Sequence, residues 1–507
     1  MTLINSLVTW FNTSRMYQID ILRKHPENVQ RETLFKLLNT AKNTEFGRRY
    51  DFKSISSENE FRRRLPLQSY DDIKPFVDKL REGYEDILWP GEIKWFAKSS
   101  GTTSDKSKFI PVSHEALEYC HFRGAKDILA IYTSNNPDTH IFSGKALTIG
   151  GSHQVNNFNN QSFYGDLSAI LLENTPFWVN FIRTPNTKIA LMEKWEEKLE
   201  KAYEDTLYEN VTNIAGVPSW NLVFLKYILE KTGKSNLLEI WPNLELFIHG
   251  GINFAPYREQ FKKLIPSQSM NYLETYNASE GFFAIQDDPS RDDMLLMLDY
   301  GIYYEFIPMD QLDSDSPKTL SIGEVEICKN YAIVISTNGG LWRYVIGDTV
   351  MFTSLYPHKI KISGRTKHFI NAFGEELIID NAENALNVAC AKTGAMISEY
   401  TAGPVFMGDN IKGAHEWLIE FEEEPENMEY FVTMLDNALQ SLNSDYEAKR
   451  YKNITLDPPV VHSVKRNLFY EWLKEKGKLG GQNKVPRLAN DRRYLDELLE
   501  INRRLSQ

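Results

Sequence analysis

Five β-rich runs, KALTIGG, LELFIHGG, NYLETYNASEGFFAI, EVEICKNYAIVIST and RYVIGDTVMF, lie between segments whose apolar residues recur at helical spacing. Strands alternating with helices in this way point to an α/β architecture. The helical side is clearest in KIALMEKWEEKLEKAYEDTLYENV, where Ile189, Met192, Trp195, Leu199, Tyr203, Leu207 and Val211 form one stripe, a core face against a solvent face and not a cofactor site. From His25 to Phe52 the text reads as a packing helix with Val29, Leu34, Leu37 and Leu38 near one face, stopped by polar residues and Gly47. After KIKISGRTKHFINAFGEELI the pattern changes to a smaller set: HEWLIEFEEE, then helices over Glu429 to Arg450 and Asp491 to Leu505. A boundary is expected near Ser363. It divides a large N-terminal domain, 1–363, with β-sheets flanked by helices, from a smaller α+β domain, 364–507.

A chain of 507 residues is too long for one compact core, and two or three domains are the usual solution. Hydrophobic residues at 42% and charged residues at 25% are the profile of a soluble globular protein. The formal net charge of -12, with no long basic block, argues against a nucleic-acid partner. Cys120, Cys328 and Cys390 are far apart and lack metal-ligand spacing, which argues against a disulfide scaffold and a zinc site. The first twenty residues have no basic n-region or small-residue cleavage site, and Asn5 and Asn12 interrupt their apolar patch, so no signal peptide is read. No run approaches the roughly 18 apolar residues of a spanning helix. The expectation is a cytoplasmic monomer without a membrane partner.

Several common catalytic signatures fail on reading. GKS at Gly233 to Ser235 has Ile228 where a phosphate-binding loop needs glycine, and neither HEALE nor HEWLI has a second histidine for zinc. GGSHQ has glutamine where a nucleophile elbow needs glycine. KSSGTTSDKSKFIPVS, Lys98 to Ser113, is not a P-loop either, yet its chemistry suits a triphosphate. Ser99, Ser100, Thr102 and Thr103 offer hydroxyl and backbone donors, Gly101 permits close backbone approach, and Lys106 and Lys108 add positive charge. By itself it is more commonly a polar turn before a strand, with solvated lysines.

Three later segments change that weighing. ETYNASEG places Tyr276, Ser279 and Glu280 in a turn after an apolar strand, where an aromatic face could stack a base and a carboxylate could hold magnesium. WRYVIGDTV places Asp348 after a glycine, where a carboxylate could accept both hydroxyls of a ribose. SGRTKHFINAFGEEL follows, and GGQNKVPR ends the series with Lys484. In this order SSGTTSDKSK, YNASEG, YVIGD, GRTKHFI and NKVPR resemble the adenylate-forming acyl-synthetase and luciferase superfamily. Within it the chain is similar to the auxin-responsive Gretchen Hagen family of acyl acid amido synthetases, a resemblance carried nearly full length by HPENVQRETLFKLLNTAKNTEFG, LFIHGGINFAPY, YYEFIPMD and FYEWLKEKGKLGGQNKVPRL.

The resemblance implies that Ser99, Ser100, Gly101, Thr102 and Thr103, with Lys108, bind ATP phosphates. Tyr276, Asn277, Ala278, Ser279 and Glu280 would line the nucleotide site, with Glu280 near Mg2+, Asp348 would hold the ribose, and Arg365 would border the nucleotide near a hinge. Lys484 would come from the mobile C-terminal domain to meet the phosphate during adenylation. One departure stands out: Asp105 and Ser107 replace the glycine and the proline usual in the superfamily's loop, and the added carboxylate disfavours nearby phosphate unless Lys106 or Lys108 offsets it. The plainer alternatives are that Asp348 caps a turn, Glu280 is a surface carboxylate and Arg365 pairs with Glu375 or Glu376.

A carboxylate repels nucleophiles and oxide is a poor leaving group, so amide formation needs activation. Attack on the α-phosphorus of ATP gives an acyl-adenylate, from which an amino acid amine displaces AMP with no covalent protein nucleophile, in keeping with the absence of a Ser-His or Cys-His signature. The expectation is an ATP-dependent ligase joining a small carboxylic acid to an amino acid. An acyl-CoA ligase or carrier-thiol adenylating enzyme, and a non-catalytic nucleotide or acyl-acid binder, are the alternatives.

Overall fold

A computed structural model describes residues 3–100, 107–149, 156–158, 162–192, 195–252, 254, 257–312, 314, 316–365, 369–375, 377–408, 412–453, 455–476 and 485–505. Two helices, Leu3–Lys24 and Pro26–Ala41, open the chain. Gly47, expected to end the second, instead lies inside a short helix, Glu45–Arg49, whose N-cap Thr44 accepts from the Gly47 amide. The first helix is pinned by Arg15, which donates to both carboxylate oxygens of Asp127 and to Asp299, while the Tyr300 hydroxyl donates to Asp127 at 2.6 Å. Burying these charges is tolerable because each is paired and hydrogen-bonded.

The strands of the large part, in chain order, are β1 (Trp95–Ser100), β2 (Ser107–Val112), β3 (Lys145–Thr148), β4 (Asn156–Asn157), β5 (Phe163–Gly165), β6 (Arg183–Thr184) and β7 (Val211–Gly216). They continue as β8 (Leu246–Gly250), β9 (Asn271–Ala278), β10 (Gly281–Ile285), β11 (Met294–Leu296), β12 (Ile302–Pro308), β13 (Asn330–Thr337), β14 (Tyr344–Leu355) and β15 (His358–Arg365). Eleven form one mixed sheet, ordered β12-β13-β14-β15-β11-β10-β9-β8-β7-β3-β6, and β2-β1-β5-β4 form a second. From β6 to β9 the large sheet is parallel, and from β9 to β12 it is antiparallel. β9 therefore joins two kinds of sheet, and the parallel strands all present their carboxyl ends at one edge, where α/β sheets usually bind ligands.

The expected long helix from Lys188 to Val211 is divided. Thr187–Ala190 and Trp195–Thr206 are helical, and Val211 begins β7. Helical spacing continued through the turn by coincidence, since Val211 is wholly buried in strand geometry.

The expected boundary at Ser363 falls within β15, which stays paired with β14 through Thr349↔Gly364 and Asp348↔Arg365. Beyond it, β16 (Phe369–Ile370) pairs with β17 (Leu377–Ile378). A small three-stranded sheet follows, formed by β18 (Met396–Val405), β19 (Ala414–Glu423) and β20 (Val460–Ser463). Helices Ile379–Thr393, Met428–Leu442, Ser444–Arg450, Leu468–Glu475 and Arg493–Leu505 complete an α+β unit. One apolar core runs across the junction, with Phe247, Tyr257 and Phe261 of the large part in the same cluster as Ile370, Phe373, Trp417 and Leu435. Among the described residues no helix is long and apolar enough to cross a membrane.

Candidate functional site

Strands β1 and β2 flank the hydroxyl-rich segment. β1 and β2 pair antiparallel with Ser99 opposite Lys108 and Ser100 opposite Ser107, so the two ends of the expected phosphate loop lie side by side. Ser99 and Lys108 are half-buried. Gly101, Thr102, Thr103, Asp105 and Lys106 lie outside the described residues, and Ser100 is described in its backbone alone. On its other edge β1 runs parallel to β5, Ala97 opposite Gly165, so Asp166 follows β5 at about the level of Lys98. Two buried lysines flank Asp166. Burial pushes Lys198 down to about 8 against the opposing pull of Asp166, and burial likewise pushes Lys449 down to about 8 against Asp445, Asp166 and Glu375. Lys198 lies in the helical segment read above but outside its apolar stripe, and a lysine among glutamates carries no sequence signal that it will be buried.

The second and third segments meet. The Tyr276 hydroxyl, on β9, donates to Asp348 Oδ2, on β14, at 2.7 Å across 72 residues of chain. Tyr276 and Asp348 are 4% and 8% exposed, so the bond lies inside the protein. This corrects two expectations. Tyr276 does not present an open face for a base: its ring packs against buried Phe283, 4.8 Å between centroids. Asp348 does not cap a turn, because it lies within β14. The surface of this segment is offered instead by exposed Asn277 and half-buried Ala278, Ser279 and Glu280. Ser279 and Glu280 form the two-residue turn between β9 and β10, closed by the Gly281↔Ala278 pair.

β14 is held from its start by Arg343. This buried side chain donates through Nε and Nη2 to the two carboxylate oxygens of Glu305, each at 2.9 Å, and to the Thr319 hydroxyl. The pair fixes the strand that carries Asp348. Arg365 is opposite Asp348 in the backbone register, and its side chain is not described. Glu375, weighed as its partner, is otherwise engaged: its carboxylate accepts from the Ala372 and Phe373 amides and lies 2.8 Å from His415 Nε2. Lys484 lies outside the described residues.

One contributor had no assigned role in the sequence reading. Gly250 ends β8, and a Cβ there would meet the Thr275 carbonyl oxygen at 2.5 Å and Asn277 Oδ1 at 3.3 Å. Gly251 follows at φ +82°. Paired glycines closing an apolar strand were the available signal, since they mark close backbone approach at a strand end.

For magnesium, the described residues contain no group of three or more acidic, histidine or cysteine side chains. A lone half-buried Glu280 suits an ion held mainly by substrate phosphates and water, the usual habit of Mg2+, and not a protein cage.

A mixed α/β sheet followed by a small C-terminal α+β unit is the architecture of an adenylate-forming fold. The chain has the fold of 2-hydroxyisobutyryl-CoA ligase in complex with 2-HIB-AMP and CoA, at a TM-score of 0.57, 14% identity and coverage of 96% of this chain and 94% of that one. AtGH3.15 acyl acid amido synthetase in complex with 2,4-DB matches at a TM-score of 0.62, 17% identity and coverage of 97% and 96%. The chain belongs to the GH3 family, whose N-terminal domain profile matches residues 15–270, central domain profile 295–365 and C-terminal domain profile 380–493. Indole-3-acetic acid-amido synthetase GH3.3 of Arabidopsis thaliana is 22% identical, covering 93% of this chain and 91% of its own.

Proposed function

We propose that this member of the family activates a small carboxylic acid with ATP and transfers the acyl group to an amino acid amine. The observation that carries the reading is the joining of YNASEG to YVIGD by the Tyr276–Asp348 hydrogen bond. Two segments read separately as nucleotide-binding share one bond 72 residues apart, in a chain whose family relatives are amido synthetases.

In the first step a carboxylate oxygen attacks the α-phosphorus and the bond to pyrophosphate breaks. Ser99, Ser100, Gly101, Thr102 and Thr103 supply donors to the phosphates with Lys108 beside them, Asp348 receives the ribose, and Asn277, Ala278 and Ser279 line the nucleotide. Tyr276 acts by orienting Asp348. Glu280 would hold Mg2+ together with the phosphates, and the ion would supply positive charge to offset what develops at phosphorus. In the second step the amine nitrogen attacks the acyl carbon, the bond to AMP breaks and the nitrogen loses a proton. Positioning and charge stabilisation supply both steps. The chain divides functionally near Ser363 to Thr366, with the C-terminal part carrying Lys484 into the first step and moving aside for the second. The same proposal takes the protein to be a cytoplasmic monomer acting on small-molecule substrates.

The likeness to a CoA ligase fold keeps a thiol acceptor as the second reading. A screen of carboxylic acids for Mg2+-dependent pyrophosphate release, with pooled amino acids or CoA as acceptor, tests both. Release with amide products supports the ligase, thioester products support the second reading, and no release with any acid removes both.

A further inference from the structure

Ser99 and Lys108 stand in the smaller sheet, on β1 and β2, while Asp348 stands in the large one, on β14. Among the described residues the two sheets share no strand. A nucleotide that touches both is one covalent molecule, so contacts between the sheets must set the distance from phosphate donors to ribose acceptor. A short segment, Gln68 to Tyr70, spans that gap. Gln68 behaves as one residue of strand beside the start of β14: its amide donates to the Arg343 carbonyl and its carbonyl accepts from the Val345 amide, each at 2.9 Å. Asp348 follows three residues after Val345. Two residues on from Gln68, the Tyr70 hydroxyl accepts from the Phe109 amide at 2.9 Å. Phe109 is the β2 residue next to Lys108, and Lys108 is opposite Ser99.

The segment is built to keep its shape. Ser69 precedes helix Tyr70–Arg81, and its amide and hydroxyl donate to Asp72 Oδ2 at 2.8 and 2.6 Å. Gln68 and Tyr70 are both buried, so their bonds lie away from water, where a donor left unpaired is costly. The far end of the helix grips the same small sheet. Arg81 Cζ lies 4.6 Å from the Phe109 ring centroid and 3.9 Å from that of Phe158, and the Arg81 carbonyl accepts from the Ser162 hydroxyl at 2.8 Å. β2 is tied to the large sheet again at its other end, where the Ser113 hydroxyl donates to the Asn338 carbonyl at 2.6 Å. Of these two ties, Tyr70 is the one near Lys108.

We propose that Tyr70, placed by Gln68 on β14, fixes the spacing between the phosphate donors of β1 and β2 and the ribose acceptor Asp348. The proposal rests on the ligase reading above, which supplies the roles of those residues. Tyr70 is a positioning residue, since it acts through the Phe109 amide and touches no nucleotide itself. ATP engages both sheets and is held by the spacing, whereas AMP lacks the two outer phosphates and depends chiefly on the large sheet. A misplacement of about 1 Å can cost about a hundredfold in rate, so the spacing bears on the step that consumes ATP. A ligand that reaches one sheet alone is indifferent to it.

The test is Tyr70→Phe, which keeps the ring and deletes the one acceptor, compared with the parent once thermal unfolding shows the variant folded. Calorimetry in magnesium buffer reads ATP and AMP affinity. Labelled pyrophosphate exchange into ATP reads the first step, and amide formation from a premade acyl-adenylate of the best acid in the screen reads the second. The expected result is ATP affinity and exchange lowered about tenfold, the loss that goes with one unmade buried bond, with AMP affinity and amide formation within about twofold of the parent. Arg81→Met, which loosens the other end of the helix, should show the same pattern, and it decides the matter if Tyr70→Phe does not fold. Unchanged ATP affinity overturns the proposal. Equal losses for ATP and AMP overturn it as well, since they mean general damage to the site and not a change of spacing. A parent that binds ATP but exchanges no pyrophosphate with any acid fails the ligase reading, and the two affinities still decide the spacing. A parent that binds neither nucleotide overturns both.

Discussion

Asp348 and Tyr276 show how one hydrogen bond changes the reading of two residues. An aspartate after glycine is legible as a nucleotide acceptor, and a tyrosine before Asn-Ala-Ser is legible as a stacking ring, but the 2.7 Å bond between them makes the tyrosine a positioning group. Asp348→Ala should weaken ATP binding by the loss of charge-assisted bonds, about 1.5–3 kcal/mol each, and Tyr276→Phe should weaken it less, by about 1 kcal/mol. Calorimetry in magnesium buffer checks the order, and a larger loss in Tyr276→Phe would show that the hydroxyl itself touches nucleotide. Lys198 gives a pH-dependent case. Burial lowers its folded pKa to about 8 from the ordinary lysine value of about 10.5, so the buried charge costs stability at pH 7. That cost is on the order of 3 kcal/mol below pH 8 and disappears as pH rises from about 8 to about 10.5, where both states lose the proton. Lys198→Met should therefore stabilise the protein at neutral pH, with the gain shrinking by pH 10. Half-buried Asp166 keeps Lys449 nearby and limits the opposing loss. Urea midpoints at the two pH values check this, and a variant less stable at pH 7 would mean that the Asp166 interaction outweighs burial.

At the scale of elements, strands were legible where apolar runs ended in glycine or a polar turn, as in LELFIHGG and NYLETYNASEGFFAI, which form β8 and the β9–β10 hairpin. EVEICKNYAIVIST was legible only in part, because β13 starts at Asn330 and Cys328 takes a positive φ of 62° before it. The long stripe from Ile189 to Val211 misled because periodicity cannot see a chain reversal that happens to preserve spacing. Gly250 belongs to this scale, since its lack of a side chain lets β8 approach β9. Gly250→Ala would set a methyl 2.5 Å from the Thr275 carbonyl oxygen, and backbone cannot swing away as a side chain can. The expected cost is about 3 kcal/mol or more, with weakened ATP binding. Gly233→Ala, at φ +67° with nothing within 4 Å, should cost only about 1 kcal/mol, and equal urea midpoints for the two variants would remove the close-approach explanation.

At the scale of the whole molecule, the proposed function needs two arrangements of one chain, and the shared core from Phe247 to Trp417 describes one of them. In the proposed function Lys484 serves the first step. Lys484→Ala should reduce pyrophosphate release about a hundred- to thousandfold, the cost of one preorganised donor at a developing charge, while amide formation from a premade acyl-adenylate persists. Release within a fewfold of the parent would transfer the role to another cation, with Lys108 next.

By itself the sequence determined the alternation of strands and helices, the smaller α+β end, the family and the order of the candidate segments, because periodicity, glycines and short polar loops act over neighbours in the chain. Tertiary structure alone decided that β9 and β14 meet at Tyr276 and Asp348, that Lys198 is buried beside Asp166, and that Tyr70 meets Phe109. Each depends on where strands and helices far apart in the chain come to lie, and a bond between residues 72 or 39 positions apart leaves no period in the sequence.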